Sequence, residues 1–514
     1  MIGNAVSTLN DLLLAYLVTI GGLMVGLYLA GAPQQKFILT PVTAIPTIFG
    51  AGLFIALWSS GDDRIGHLPI FLSELIAMII TFGAGVAVGR YTGGSRPEVE
   101  HQRGTRLIDE PKNLGKPEDD SGLTFAGFRV PQLDETKHFK LMGTTGTGKS
   151  TAIRQLLKDA LTRGDRAVFA DPDGSYREVF YNPQRGDVIL NPFHEQAARW
   201  DIFAEISVPH DADQLARSLI PDYEGSDRSW RGYARTLLTA ILRQLHGTED
   251  PDIAKLYYLL VMAPPEELRD LLESTPAGPF LGQDNGRFFD SVRSVAMAHL
   301  TGLEHVARQE SADSVSVRRW IREGKGVLFL PYKASEIAAL RQIISTWMRL
   351  GIFETMNSQA GDQRLWFVID ELDALGAIDG LKDALARLRK FGGRCVLGFQ
   401  SIAQMRGLYG NANAQTIVEN CGNTLILRCS ASEQGGTAEF ASRLIGKREI
   451  VRQQTAYSRP AGLGREAQGT NTSSEHRSIE DAVMASEIEQ LPDLSGFLKV
   501  ASRPEWWKVT LTRS

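Results

Sequence analysis

Residues able to bind a polyphosphate lie in one short segment, residues 143–150, whose sequence GTTGTGKS fits the pattern G-x-x-x-x-G-K-[S/T]. An apolar run that predicts a strand precedes it, and a run that predicts a helix follows it. The glycines let successive backbone N–H groups turn toward a phosphate, and the helix N-terminus adds partial positive charge. We therefore predict that this segment binds ATP, through Gly143, Thr144, Thr145, Gly146, Thr147, Gly148, Lys149, Ser150 and Thr151.

Two acidic residues close a second segment, residues 366–371, with the sequence WFVIDE. In a phosphate-loop enzyme, an acid at the carboxyl end of a neighbouring strand holds Mg²⁺ together with the hydroxyl that follows the loop lysine. This assigns Asp370 and Ser150 to the metal. Glu371 projects differently and is our predicted general base for the attacking water, while Lys149 is predicted to reach the β- and γ-phosphates.

Further polar residues stand at strand ends. Gln400 follows an apolar run and is predicted to lie near the γ-phosphate, where its amide would position the water; a polar strand-end residue without this role is the alternative. Arg389, Lys390 and Arg394 precede the same run, and one of them is expected to act across a subunit boundary as an arginine finger. We select Arg389, with a solvated basic helix end as the alternative. Arg428 is a second candidate.

The elements around these residues alternate between strand and helix, which predicts an α/β fold with a parallel, doubly wound sheet. This phosphate-loop domain is predicted to comprise residues 123–203 and 324–514. From residue 204 to residue 323 apolar residues recur at helical spacing with almost no strand signal, so we predict an all-α insertion there. Residues 93–122 are polar, with scattered Pro and Gly, and are predicted to form a linker.

The first 92 residues differ in kind from the rest. Three runs almost free of charge, at 12–32, 37–60 and 68–89, predict a transmembrane anchor of two or three helices. Arginines cluster immediately after the third run, so the remainder of the chain is expected on the cytoplasmic side. Whether all three runs cross the membrane, and hence on which side the N-terminus lies, stays open.

Composition restricts the partners only weakly. The 514 residues carry a formal net charge of −5, so no overall basic field indicates nucleic acid. The chain also lacks helix-turn-helix spacing and a zinc-binding pattern. DNA is nevertheless compatible, because a ring can line its channel with a few basic residues. The three cysteines, Cys395, Cys421 and Cys429, fit reduced thiols in the core.

The ordered set of segments resembles the type IV secretion coupling proteins of conjugative plasmids, the TraD/TraG-type ATPases. The resemblance covers nearly the whole chain and rests on GTTGTGKS (143–150), ADPDGSY (170–176), NPF…WDIF (191–203), WFVIDELDAL (366–375), LGFQS (397–401) and LPDLSGFLK (491–499). Three apolar runs in the N-terminal region exceed the two transmembrane helices usual in the family.

The resemblance implies a RecA-like core and a homo-hexameric ring at the bacterial inner membrane, with its ATPase domain in the cytoplasm. It further implies a DNA-stimulated ATPase that receives a relaxase-bound single strand, without sequence preference, and delivers it to inner-membrane components of the secretion channel. Two alternatives stay open. A protein-translocating secretion ATPase would share every catalytic residue, and a nucleotide-switched membrane adaptor would need little turnover.

Overall fold

The computed structural model describes residues 17, 20–29, 79, 81–84, 86–87, 100–109, 122–222, 226–311, 313–357, 363–432, 436–458 and 470–512. The chain divides into two compact units. The first comprises Met1–Gln102 with Glu449–Ser478, and the second comprises Arg103–Arg448 with Ile479–Ser514. The second unit contains the phosphate loop and both predicted catalytic segments.

The strands, in chain order, are β1 (Glu100–Gly104), β2 (Leu107–Ile108), β3 (Leu123–Phe125), β4 (Phe128–Val130), β5 (Phe139–Met142), β6 (Arg166–Pro172), β7 (Val188–Ile189), β8 (Arg199–Trp200), β9 (Ser314–Val315), β10 (Val327–Tyr332), β11 (Leu365–Ile369), β12 (Gly393–Phe399), β13 (Asn423–Ile426), β14 (Lys447–Ser458), β15 (Thr470–Asp481), β16 (Ser495–Lys499) and β17 (Trp506–Thr510).

The α-helices are α1 (Gln132–Glu135), α2 (Lys149–Thr162), α3 (Ser175–Phe180), α4 (Pro209–Leu219), α5 (Arg228–His246), α6 (Ile253–Val261), α7 (Pro265–Leu272), α8 (Gly286–Ala307), α9 (Val317–Glu323), α10 (Ile337–Asn357), α11 (Leu381–Leu388), α12 (Ile402–Tyr409), α13 (Asn411–Asn420), α14 (Gly436–Ile445) and α15 (Ala485–Glu489).

A ten-stranded sheet organises the second unit, in the order β2-β17-β16-β13-β5-β12-β11-β6-β10-β7. The strands from β13 to β7 are parallel to one another. Beyond β13, β16 pairs antiparallel with β13 and β17 pairs antiparallel with β16, and β2 at the edge pairs in parallel with β17. The mixed α/β fold with a large parallel sheet agrees with the strand–helix alternation in the sequence. Because the strands are parallel, the loops after β5, β6, β11 and β12 emerge at one edge, where parallel α/β sheets bind ligands.

Helices cover both faces of this sheet, as the burial of alternate side chains shows. In β6, Val168 and Ala170 pack into one apolar core, whereas Ala167 and Phe169 pack into the core on the opposite face. All four side chains are at most 1% exposed. A strand covered on both faces is an uninterrupted apolar run in the sequence, which is why these strands could be predicted.

Among the described residues between 204 and 323, most are helical, and two form a strand. Helices α4 to α8 account for most of the helical residues, and α5 packs against α4, α6 and α8. The strand is β9, which pairs in parallel with β8. A strand this short carries no alternation of its own, so the sequence did not indicate it.

Most of the predicted membrane anchor lies outside the described residues, although residues 20–29 are helical. In the part of the chain that the structure describes, no helix combines the length and apolar character that a membrane crossing requires. Of the predicted linker, residues 93–99 and 110–121 also lie outside the description. The described part of this segment contains β1 and β2. Strands β1, β14 and β15 form a separate three-stranded sheet.

Candidate active site

The phosphate loop connects β5 to α2 and is held in place from several directions. Gly148 ends the loop with φ +118°, a left-handed value that favours glycine. The Thr144 N–H donates to the Arg428 carbonyl at 2.8 Å, and the Leu494 N–H donates to the Thr147 carbonyl at 2.9 Å. Backbone contacts on both sides therefore fix the loop that is predicted to surround a phosphate.

Lys149 is the first residue of α2 and is 7% exposed. Its Nζ atom donates to the Gly143 carbonyl at 2.7 Å and to the Thr144 carbonyl at 3.2 Å. Burial lowers the pKa of its ammonium, and the Asp370 and Glu371 carboxylates oppose that shift. The ammonium thus lies inside the loop whose amides are predicted to contact phosphate.

Ser150 and Asp370 lie together, as expected for a magnesium site. The Ser150 hydroxyl donates to Asp370 Oδ2 at 2.6 Å, and Asp370 is 3% exposed. The second carboxylate oxygen, Asp370 Oδ1, is buried and has no hydrogen-bond partner among the described residues. The Ser150 hydroxyl and the Asp370 carboxylate, with its unpaired buried oxygen, are suitable oxygen ligands for Mg²⁺, so the residues present fit that ion.

Glu371 and Gln400 stand at the ends of neighbouring strands and contact each other. The Gln400 amide donates to Glu371 Oε1 at 3.2 Å, and its own oxygen accepts from the Thr145 hydroxyl at 3.1 Å. Burial raises the pKa of Glu371, as do the nearby Asp370 and Asp373 carboxylates. Gln400 therefore connects the phosphate loop to the carboxylate that is predicted to act as a base.

These groups surround a single cavity of about 270 Å³, lined by Thr145, Gly146, Gly148, Lys149, Ser150, Thr151, Asp370, Glu371, Gln400, Asp493 and Leu494. Asp493 and Leu494 were not predicted as site residues. They come from the segment before β16, within LPDLSGFLK (491–499), a segment that carries part of the family resemblance. Their position close to the loop depends on the antiparallel edge of the sheet, which strand–helix alternation does not predict.

Arg389, the predicted arginine finger, does not line the cavity of its own chain. Arg389 and Lys390 are exposed and lie just before the amino-terminal end of β12. The cavity is at the other end of that seven-residue strand, about 20 Å away at ~3.3 Å per residue. Action by Arg389 across a subunit boundary remains a prediction.

The other two arginine candidates have partners within the chain. Arg394 is 1% exposed, and its Nε donates to Glu135 Oε2 at 2.9 Å, so it belongs to a buried ion pair and is not available as a finger. Arg428 pairs with Asp493, 2.6 Å away. Only contacts distant in sequence reveal these partners.

Asp171 and Tyr176 were not predicted as site residues, although both lie in ADPDGSY. Asp171 accepts from the backbone N–H groups of Tyr176 at 2.9 Å and Arg177 at 2.8 Å, so it organises the turn before α3. Burial raises the pKa of Asp171 to about 6. The Tyr176 hydroxyl donates to Asp370 Oδ2 at 2.8 Å. Burial, with the Asp370 carboxylate nearby, holds the pKa of this phenol well above its usual value, which keeps it a donor.

Comparison with known proteins gives a consistent family. The family model for the type IV secretion-system coupling protein DNA-binding domain matches residues 122–512. The coupling protein TraD of Escherichia coli (strain K12) is 30% identical over 447 residues, which are 84% of this chain and 60% of TraD. The chain therefore spans about 60% of the length of that relative.

Solved structures of the conjugative coupling protein TrwB agree with this result. The unbound TrwBdeltaN70 structure aligns with a TM-score of 0.71 and 30% identity, covering 82% of this chain and 97% of the TrwBdeltaN70 chain. The structure of TrwB in complex with ADP and Mg²⁺ aligns with the same TM-score and identity, covering 82% of this chain and 96% of the chain in that structure. With the family model matching well over half of its residues, the chain belongs to the type IV secretion-system coupling proteins.

Proposed function

We propose that this protein is a magnesium-dependent ATP hydrolase that drives DNA transfer. The observation that carries the proposal is the contact between Ser150 and Asp370, 2.6 Å apart, beside Lys149 and Glu371 in one cavity. Its relative TrwB has been solved with ADP and Mg²⁺ and with the non-hydrolysable ATP analogue ADPNP. Nucleotide and metal binding by TrwB supports the same ligands here.

In this proposal, separate residues bind the phosphates, hold the metal and accept the proton of water. Backbone N–H groups of the loop and the Lys149 ammonium would hold the β- and γ-phosphates of ATP. Ser150 and Asp370 would hold Mg²⁺, which when bound neutralises charge on the phosphates and orients them. Glu371 accepts the proton of the attacking water, and the Gln400 amide keeps its carboxylate oriented toward the loop.

Membership of the coupling-protein family supports a larger role in DNA transfer. We propose a hexameric ring at the bacterial inner membrane, anchored by residues 1–92, with the phosphate-loop domain in the cytoplasm and the helical insertion 204–323 at the cytosolic mouth. Arg389 would complete a neighbouring subunit's site. The ring would take a relaxase-bound single strand and move it into the secretion channel. The match to a domain described as DNA-binding supports this assignment over a protein-moving ATPase.

The ATPase rate of the full chain in detergent micelles tests the proposal. We expect single-stranded DNA of mixed sequence to raise the rate several-fold, and an unfolded protein to leave it unchanged. Lys149→Ala should abolish the rate under every condition, which excludes contaminating ATPases. Stimulation by the unfolded protein alone would favour the protein-translocating ATPase, and negligible turnover despite tight nucleotide binding would favour the membrane adaptor.

A further inference from the structure

The Asp370 carboxylate is held asymmetrically. Its Oδ2 atom accepts two hydrogen bonds, from the Ser150 hydroxyl at 2.6 Å and from the Tyr176 hydroxyl at 2.8 Å. Its Oδ1 atom accepts none from the described residues, although it is buried. A carboxylate anchored through one oxygen has its plane fixed, and the other oxygen remains for a cation or a cation-bound water.

Tyr176 is itself held rigidly, so its hydroxyl can fix another group. The ring is 0% exposed and stacks on Phe169, with ring centroids 5.6 Å apart and planes 5° from parallel. The Arg154 guanidinium lies 5.6 Å from the ring centroid. The Asp171 carboxylate fixes the backbone from which the ring projects. Backbone and ring are thus positioned by contacts that do not involve the hydroxyl.

The hydroxyl spans two neighbouring strands. Tyr176 follows β6, whereas Asp370 follows β11, and these strands pair in parallel up to Ala170 opposite Ile369. Ser150, the other donor to Asp370, is itself one of the predicted metal ligands. Tyr176 therefore donates to Asp370 without being a predicted metal ligand itself.

We propose that Tyr176 is a positioning residue for the magnesium site, acting through Asp370. Its hydroxyl donates to Asp370 Oδ2 and so fixes the orientation of the carboxylate. In that orientation Oδ1 is available to Mg²⁺, and Oδ2 still accepts from the Ser150 hydroxyl. This inference rests on the proposed function, because it assumes a Mg²⁺–nucleotide site. Hydrogen bonds from outside the coordination shell typically contribute about 10–100-fold to metal affinity.

The test is Tyr176→Phe in the full chain, which removes the hydroxyl and retains the ring packing. Binding of fluorescently labelled ADP is titrated against Mg²⁺, and also measured in EDTA without the ion. We expect the Mg²⁺ concentration that gives half of the maximal change in ADP binding to rise about 10-fold. The ADP affinity in EDTA and the Tm should stay close to those of the parent. Tyr181→Phe is the matched control, since that ring packs against Phe329, and should behave as the parent does.

Two results would overturn the inference. One is a Mg²⁺ dependence equal to that of the parent. The other is a fall in ADP affinity in EDTA together with a lower Tm, which would make Tyr176 a structural residue only. A parent chain whose ADP affinity does not respond to Mg²⁺ would instead overturn the proposed function, and the parent titration alone detects that outcome.

Discussion

Glu371 is the proposed base and directly follows Asp370, which accepts the Ser150 hydrogen bond across 220 positions of the chain. The substitution Glu371→Gln keeps the size of this side chain but removes its ability to take a proton. We expect kcat to fall at least about 100-fold while ADP affinity stays within about 3-fold of the parent. Steady-state ATPase assays and ADP titration measure the two quantities.

Glu273→Gln provides the control for Glu371→Gln, since it changes an exposed carboxylate in the helical region and should leave both quantities unaltered. Turnover by Glu371→Gln at the parental rate would show that another group takes the proton.

The backbone conformation of Gly148 and its close neighbours predict that no larger residue is tolerated at this position. Its φ is +118°, and an added Cβ would lie 2.9 Å from Leu494 Cδ2 and 3.0 Å from Leu511 Cδ1. Gly148→Ala would therefore combine backbone strain of about 1–3 kcal/mol with displacement of the loop. We expect a lower Tm and at least about 10-fold weaker ADP binding.

Gly164→Ala separates the two effects of the loop substitution. Gly164 has φ +89°, and an added Cβ would meet no atom within 4 Å. The Gly164→Ala substitution should lower the Tm through backbone strain alone and leave the ADP affinity unchanged. Equal ADP affinity in Gly148→Ala and the parent would contradict the proposed loop geometry.

The sequence predicts part of the site for a physical reason. Lys149, Ser150, Asp370 and Glu371 follow apolar runs, and the carboxyl ends of parallel strands meet at one edge of the sheet. Tyr176 and Leu494 contact the same groups but depend on the placement of α3 and of the segment before β16. No local pattern specifies those placements, and none distinguishes the buried Arg394 from the exposed Arg389.

At the scale of elements, one buried carboxylate joins several segments where the helical region meets the sheet domain. Glu205 is 0% exposed and accepts from Trp200 Nε1 at 2.8 Å, the Ser316 hydroxyl at 3.0 Å, and the N–H groups of Val317 at 2.6 Å and Arg318 at 3.0 Å. Two of these donors are the first N–H groups of α9. Glu205→Ala would leave all four donors unsatisfied, and we expect a loss of about 3 kcal/mol in the free energy of unfolding.

Chemical unfolding in urea measures this loss, and Glu304→Ala is the comparison. The Glu304 side chain is 31% exposed, pairs with Arg308 and accepts from the Tyr257 hydroxyl at 3.2 Å, so its removal should cost only about 1 kcal/mol. Similar losses for the two variants would contradict the anchoring role of Glu205.

Element types could be predicted from the sequence better than their arrangement. Apolar runs predict β6, β10, β11, β12 and β13, and helical spacing predicts the long helices α5 and α8. The order of the strands, with β12 between β5 and β11, depends on contacts distant in sequence. The two-residue strands β2, β7, β8 and β9 are too short to show a period.

At the scale of the whole molecule, one buried histidine couples stability to pH. His138 is 1% exposed; the Cys395 N–H donates to its Nδ1 at 3.1 Å, so its Nε2 donates to the Leu385 carbonyl at 2.9 Å. Burial lowers the pKa of His138 to about 4. Because the folded-state pKa lies below the unfolded-state value, the stabilising contribution is present above about pH 6.5 and is lost as the pH falls toward 4.

His138→Asn tests this coupling, since asparagine tolerates the left-handed φ of +56° at this position. Between about pH 7 and pH 5, we expect the parent to lose about 2 kcal/mol more stability than the variant. Urea unfolding at both pH values measures the difference. Parallel losses in parent and variant would show that His138 does not titrate with unfolding.

Displacement of streptavidin from a biotinylated single strand tests whether this protein moves DNA. The full chain in micelles is mixed with the blocked strand and ATP, and free streptavidin is measured over time. We predict release with ATP but not with ADPNP, and none by Glu371→Gln. Hydrolysis of ATP on the same strand with no release above that of Glu371→Gln would show that hydrolysis does not drive movement of DNA.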